Sequence, residues 1–408
     1  MRLAILSDSW IPNVNGVVVS VQNEIRVLSE RGYEITLFVP KTKKAPNSEA
    51  DLPLENIVEH RSIPFPGYKG YNIALPDLKL RAEIKKKRFD LIHCQTPFSL
   101  WVMARILRRT MQIPMVTTFH THLPEYSGHL LGGFLKNQVE AFLQPLAWAI
   151  TRFNNFSNAV IAPSESLKNE LLLHGVARTP ICVAPSPISP FFFENKPTMT
   201  FKNFVQDKIK ERYAVDSDTS LLMYIGRVSF EKRLDLLLKA YKSLRAKIAD
   251  PVYLLVAGDG PHIDAYKKQA AHLGLTQEEI GFTGWIPHKQ LPPYYAAADV
   301  FVSPSDTETQ GLTFVEAMSQ ATPVIGVKAG GVQNLIENKR NGFLVPPNDI
   351  DSIEKSLRIL IKDRELRINM GEQAYQTAQE YTLERFGENL IRVFEIAQEN
   401  YNERTGRK

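Results

Sequence analysis

The sequence predicts an α/β protein made of two doubly wound domains, each a mostly parallel sheet with helices on both faces. Three observations carry this expectation. The N-terminal stretch reads strand, helix, strand; a proline-dense run interrupts the chain near its middle; and beyond it the strand–helix alternation starts afresh. At 408 residues the chain is long enough for two domains.

Residues 3–9, LAILSDS, form an apolar run expected as a buried strand. After the loop WIPNVNG, Val21, Ile25 and Leu28 recur at helical spacing and Gly32 stops the helix. EITLFVP is the next strand, which closes a βαβ unit and implies a parallel sheet with a right-handed crossover. Gly16 lies just before the first helix, where a missing side chain lets a ligand approach backbone. There is no GxGxxG here, so a dinucleotide fingerprint is not supported. Residues 41–75 are loop-rich, with Pro46, Pro53, Pro64 and Pro66, and DLKLRAEIKKKRFD, 77–90, is expected as a basic helix. DLIHCQTP, PMVTTFH, AVIAPS and ICVAPSP are further strands, the third followed by a helix start.

The proline-rich segment 187–198 is expected as a hinge between a first domain, 1–186, and a second, 199–385. In the second, LLMYIGR is a strand. The helix after it places Leu234, Leu237, Leu238, Tyr241, Leu244 and Ile248 on one face. VYLLVAGDGP, IGFTGW, VFVSPS, PVIGV and GFLVPP are strands separated by helical stretches, and the tail from about 352 is helical and charged.

Composition narrows the class. Hydrophobic residues at 44% and charged residues at 23% are ordinary for a soluble globular protein. Cys94 and Cys182 are too few for a disulfide framework or a Cys-rich zinc site, so a reducing, cytoplasmic compartment is expected. The N-terminal apolar run is too short for a secretory leader, and no run reaches transmembrane length. The net charge of +5 is uneven: residues 1–190 carry 21 Lys and Arg against 15 Asp and Glu, the remainder 28 against 29. The basic first half suits an anionic surface as partner, and equally a solvated basic face. The apolar-aromatic stretch 128–156, with Lys136 and Arg152, joins Lys85, Lys86, Lys87, Arg88, Arg105, Arg108 and Arg109 as a face for an anionic bilayer, unless it packs inside. No nucleic-acid partner is expected, and oligomeric state is not read.

The richest stretch is SPSDTETQGLTFVEAM, 303–318. It reads as strand, turn and helix start with Gly311 at the joint. The unpaired N–H groups near Gly311, Leu312 and Thr313 make an anion site. Glu308 and Glu316 flank that site with seven residues between them. A phosphate on the N–H groups would leave both carboxylates for hydroxyls, an arrangement suited to a sugar nucleotide. A glutamate near a helix start also serves merely to offset the helix dipole, so the stretch alone leaves both readings open. Arg227, which ends YIGR, and Lys232 in SFEKR are placed to neutralise a diphosphate. GDGP and the glycine turn from Gly330 sit before helices at other strand ends, and a crevice at strand ends is where such folds bind ligands.

In FHTHLPEY, His120 and His122 share one side of an extended chain. H-x-H is also the spacing of a metal pair, but Glu125 is the one obvious third ligand and no metal is expected. A His at the carboxyl end of a parallel strand is placed to meet a ligand, or is a hydrogen-bonded structural residue.

Taken together, these residues resemble the family 4 glycosyltransferases, retaining enzymes with the GT-B fold, over nearly the whole chain. The matching residues are NGV at 15–17, FHTH at 119–122, YIGR with EKR at 224–233, AGDGP at 257–261, FTGW at 282–285, ETQGLTFVEAM with its paired glutamates, and PVIGVKAGG at 323–331. The wording FHTHLPEY and TETQGLTFVEAM is most similar to the bacterial diacylglycerol glucosyltransferase subgroup. The resemblance implies two Rossmann-like domains facing each other across a cleft, with the C-terminal helix, 386–408, completing the first. It implies Arg227 and Lys232 on the donor diphosphate, Glu308 on sugar hydroxyls and Glu316 on the ribose. Gln310, Gly311, Leu312 and Thr313 would lie near sugar and phosphate. Gly16, Val17, Gly226 and Gly258 would make room for the donor, and His120 would sit by the transferred sugar. Asn15, His122, Glu125 and Tyr126 are acceptor-side candidates. No cofactor is implied beyond the nucleotide-sugar co-substrate, although a divalent cation is compatible. Two positions depart from the common pattern: Gln310 replaces a phenylalanine, and Ser319-Gln320-Ala321 stands where many members read Ala-Cys-Gly.

The expected reaction is hexose transfer, from UDP-glucose to a lipid such as diacylglycerol at the inner face of the cell membrane, with phosphatidylinositol, a glycolipid or a soluble sugar or glycan as alternative acceptors. A glycosidase using Glu308 and Glu316, a sugar-nucleotide epimerase and a non-catalytic sensor remain competing expectations; the first needs carboxyls about 5 Å apart and gives the basic pair no purpose.

Overall fold

The computed structural model describes residues 1–11, 16–41, 56–64, 72–74, 86–95, 99–120, 149–195 and 197–406. The chain divides into two compact units: Met1–Pro187 with Leu383–Lys408, and Ile188–Thr382.

The first unit contains β1 (Arg2–Leu6), β2 (Glu34–Pro40), β3 (Ile57–His60), a small antiparallel pair β4 (Ser62–Pro64) and β5 (Asn72–Ala74), then β6 (Leu91–Cys94), β7 (Met115–Thr118), β8 (Ala159–Ala162) and β9 (Ile181–Val183). Its main sheet runs β3-β2-β1-β6-β7-β8-β9, all parallel. Alternation along β1 explains why both faces are covered. Leu3 and Ile5 pack with Val21, Ile25 and Leu28 of the helix Gly16–Glu30. Ala4 and Leu6 point the other way, onto Leu100, Ala104 and Leu107 of the helix Ser99–Met111. That second helix is absent from the sequence reading. Of the expected basic helix 77–90, residues 77–85 lie outside the described residues.

The helix Leu383–Thr405 belongs to this first unit. Phe386, Leu390, Val393, Phe394 and Ala397 recur on one face and enter the core beside Val21, Ile25 and Leu28. Gly387 marks the closest approach: a Cβ there would lie 2.5 Å from Val27 and from the Arg31 guanidinium.

The second unit contains β10 (Ser220–Ile225), β11 (Val252–Ala257), β12 (Ile280–Gly284), β13 (Val300–Ser303), β14 (Val324–Val327) and β15 (Gly342–Val345). They form one parallel sheet in the order β12-β11-β10-β13-β14-β15. Chain order reverses between β10 and β13, so the loops leaving these two neighbours diverge and open a crevice at their carboxyl ends. The segment 187–198, expected as a hinge, is anchored to this unit. Ile188 and Phe192 are buried in its core, and the Ile188 N–H donates to the Tyr381 carbonyl at 3.1 Å. A helix the sequence reading did not separate from the hinge, Met199–Arg212, follows with Val205 and Ile209 buried.

Candidate active site

The crevice between the loops after β10 and β13 collects most of the expected donor residues. After β10 the chain turns at Gly226, with φ 152°, and the buried Tyr224 hydroxyl donates to the Arg227 carbonyl at 2.8 Å. Arg227 itself is exposed. The turn after β11 lies directly on this one. A Cβ on Gly258 would come 1.9 Å from the Gly226 carbonyl oxygen, and one on Gly260 would come 2.3 Å from that of Val228. These glycines therefore make room for neighbouring backbone, not in the first place for a ligand. Lys232 ends a single turn, Phe230–Lys232, and its ammonium donates to Glu308 Oε1 at 2.6 Å. Two residues singled out far apart in sequence are thus in direct contact.

Glu308 is held by its backbone as well. A Cβ on Gly330 would meet the Glu308 carbonyl oxygen at 2.3 Å, and one on Gly331 would meet that of Thr309 at 2.3 Å. The Gly331 N–H donates to the Glu308 carbonyl at 2.7 Å. The KAGG turn is a seat for the 308–310 loop, and Gln310 is buried there. Gly311 follows in the left-handed region, φ 89° and ψ 51°, and caps the helix Leu312–Ser319. Only glycine takes that conformation without cost. It aims the first N–H groups of the helix out of its end, where an anion is favoured.

Glu316, on that helix, is 7% exposed. Its Oε1 accepts from His288 Nε2 at 2.9 Å and its Oε2 from the Tyr295 hydroxyl at 2.7 Å. Burial alone would lower the His288 pKa, but the hydrogen bond and charge of Glu316 outweigh it and raise it. Burial, then the Glu316 carboxylate, push Tyr295 far up, so it stays a donor. Neither residue was found by sequence reasoning. The visible signal was PHKQLPPYY, a polar and aromatic turn between two strands.

In the first unit, His120 follows β7 and is half-buried. Its Nε2 meets Gln95 Oε1 at 2.8 Å, and the Gln95 amide donates to Glu24 Oε2 at 2.6 Å. Glu24 Oε1 also accepts from His93 Nδ1 at 2.6 Å, and His93 Nε2 meets the Thr118 hydroxyl at 2.7 Å. Because Gln95 offers oxygen to the ring, His120 carries its proton on Nε2. Burial, with His93 nearby, lowers its pKa to about 3, so it is neutral at physiological pH. Glu24, His93 and Gln95 were also missed. Gly16 starts its helix exposed, with nothing within 4 Å of a Cβ placed on it, whereas Val17 packs against the first unit's core. Asn15, His122, Glu125 and Tyr126 lie outside the described residues, as does most of the 128–156 stretch. Among the described residues no three His, Cys, Asp or Glu are grouped to hold a metal ion, and no helix is long and apolar enough to cross a membrane.

The family descriptions Glycosyltransferase Family 4 and Glycosyl transferases group 1 match residues 14–190 and 205–377. An alpha-monoglucosyldiacylglycerol synthase of Streptococcus pneumoniae is 31% identical over 347 residues, 84% of this chain and 75% of that protein. The chain belongs to the family 4 glycosyltransferases. It is a nucleotide-sugar-dependent hexosyltransferase, and its two parallel Rossmann-like sheets are those of the GT-B fold. A GDP-mannose-dependent alpha-mannosyltransferase of Mycolicibacterium smegmatis is 28% identical over 88% of this glycosyltransferase and 87% of its own length. Among solved structures, sucrose-phosphate synthase from Thermosynechococcus elongatus shares the fold with a TM-score of 0.76, at 19% identity over 97% of this chain and 98% of that one.

Proposed function

We propose that this glycosyltransferase moves glucose from UDP-glucose to a membrane lipid, 1,2-diacylglycerol, with retention of configuration, as a peripheral enzyme of the cytoplasmic membrane face. The observation that carries the acceptor is the match to a monoglucosyldiacylglycerol synthase over most of both chains. The basic excess of residues 1–190 suits an anionic bilayer.

The donor chemistry follows from the crevice of the second unit. Departure of a nucleoside diphosphate develops negative charge, and preorganised donors there lower the barrier. Arg227, Lys232 and the start of the helix Leu312–Ser319 supply them. Glu308 holds Lys232 with one oxygen and offers sugar hydroxyls its remaining acceptor capacity, while Glu316 takes the ribose. Among the described residues of the crevice no side chain is an evident nucleophile; in the reaction proposed here the leaving phosphate itself helps deprotonate the acceptor hydroxyl on the same face. The GDP-mannose-dependent relative favours a second reading, mannose transfer from GDP-mannose to another acceptor.

The test is nucleoside diphosphate release from a panel of UDP- and GDP-sugars, with and without diacylglycerol vesicles. Lipid-stimulated release from UDP-glucose with a glycolipid product supports the first reading. Release from GDP-mannose alone selects the second, and stimulation by a soluble acceptor only removes the lipid. Arg227→Ala should cost roughly 3–4 kcal/mol of transition-state stabilisation, read as a loss of 10²–10³ in kcat; near-wild-type turnover would remove its role.

A further inference from the structure

We infer that His288 is a positioning residue for donor recognition: with Tyr295 it locks the plane of the Glu316 carboxylate so that both oxygens meet the ribose hydroxyls. This rests on the donor-site reading above. A carboxylate oxygen has two lone-pair sites. One site on each oxygen is taken from the protein side, at 2.9 Å by His288 Nε2–H and at 2.7 Å by Tyr295. Each oxygen retains one for a hydroxyl, a two-pronged match to a vicinal diol. Held by one donor alone, the group would turn about its last bond and lose that match.

Both donors are themselves fixed. The carboxylate accepts from Nε2–H and so sets the His288 tautomer. The imidazole is wedged edge-on to Phe191, with ring centroids 5.1 Å apart, and lies 5.4 Å from Phe192. Tyr295 packs against Phe192 at 5.9 Å and Phe301 at 5.7 Å. The clamp is thus assembled from four places in the second unit: the segment after Pro187, the turn His288–Gln290, the helix Leu291–Ala297 and β13. His288 also differs from a residue that merely neutralises a buried acid. Its side chain is 38% exposed while that of Glu316 is 9% exposed, so it stands at the edge of the site.

The test measures binding of UDP and 2′,3′-dideoxy-UDP, and of GDP and its dideoxy analogue, to the full chain by calorimetry. Wild type, His288→Ala, His288→Gln and Tyr295→Phe are compared. The expected result is at least a tenfold weaker affinity of His288→Ala for the ribonucleotide, with the dideoxy analogue changed less than about twofold. That loss is what removing a hydrogen bond to a charged group produces. His288→Gln, which keeps an N–H donor, recovers most of it, and the defect falls on KM more than on kcat. Tyr295→Phe keeps the ring packing and shows the same selectivity loss, so the inference stays testable if His288→Ala misfolds. Equal weakening for both nucleotides, or none for either, overturns it while leaving the donor reading in place. Failure of the wild type to bind any nucleoside diphosphate overturns both.

Discussion

Gly331→Ala adds one methyl group where the chain has left no space. The new Cβ would lie 2.3 Å from the Thr309 carbonyl oxygen and 2.6 Å from Gln310 Cα. The backbone at Gly331, φ −73° and ψ −24°, suits alanine, so the entire effect is contact. Restoring a van der Waals separation of about 3.5 Å moves the 308–310 loop by roughly 1 Å. That breaks the hydrogen bond from Gly331 to Glu308, about 1 kcal/mol, and overpacking adds about 1–3 kcal/mol. A total of about 2–4 kcal/mol lowers the melting midpoint of the second unit by roughly 4–16 °C. Because Glu308 travels with the loop, transfer should fall about 10²-fold, the usual consequence of a 1 Å misplacement at the reacting centre. Differential scanning calorimetry and initial rates of nucleoside diphosphate release read the two effects. Gly284→Ala is the control: φ is +71° but nothing lies within 4 Å, so it costs backbone strain of about 1–2 kcal/mol and little activity. A Gly331→Ala enzyme with unchanged midpoint and a rate within about twofold of wild type would refute the seating of the loop on this turn.

Three further outcomes follow from other sites. Ala321 occupies the left-handed region, φ 51°, and its carbonyl accepts from Lys202 at 2.8 Å. Ala321→Gly keeps that bond and should raise stability by up to about 1 kcal/mol; a fall in the midpoint would contradict this. Glu24 and His93 are each 1% exposed and 2.6 Å apart, so Glu24→Ala should destabilise the first unit by about 3–5 kcal/mol in urea denaturation, with Glu24→Gln milder. The His288 pKa is raised in the fold, so its stabilisation is complete below the ordinary value of about 6.5 and fades as pH rises through the folded value. The midpoint difference between wild type and His288→Gln should therefore be largest near about pH 5.5 and shrink toward about pH 8.5; a constant difference would exclude the Glu316 linkage.

Most strands of both sheets were legible because a strand buried on two faces reads as an uninterrupted apolar run, and such runs are local; the edge strand β3, within the stretch expected to be loop-rich, is only partly buried and carries no such run. VYLLVA and EITLFVP carry that signal within seven residues or fewer. The helix Met199–Arg212 carried little, since Val205, Ile209 and Lys210 alone are buried and its first turn merges with the proline-rich segment. At the site, the motif residues could be named but their partners could not. Glu24, His93, Gln95 and His120 meet because β6 and β7 lie side by side and the first helix packs over them. His288 and Glu316 are 28 positions apart and belong to a turn and a helix joined by sheet order, which no spacing rule encodes.

The placement of the last helix bears on how the polypeptide is made. The second unit is one continuous stretch, Ile188–Thr382, and has every residue of its core as soon as it leaves the ribosome. The first is not: the layer formed by Phe386, Leu390, Val393 and Phe394 is translated after the whole of the other unit. At elongation rates of about 5–20 residues per second, those 195 residues take roughly ten to forty seconds. For that interval Val21, Ile25 and Leu28 lack their cover, and the half that is synthesised first is finished last. A nascent chain of this design offers chaperones a defined apolar stripe, and a truncation before Leu383 should leave it exposed for good.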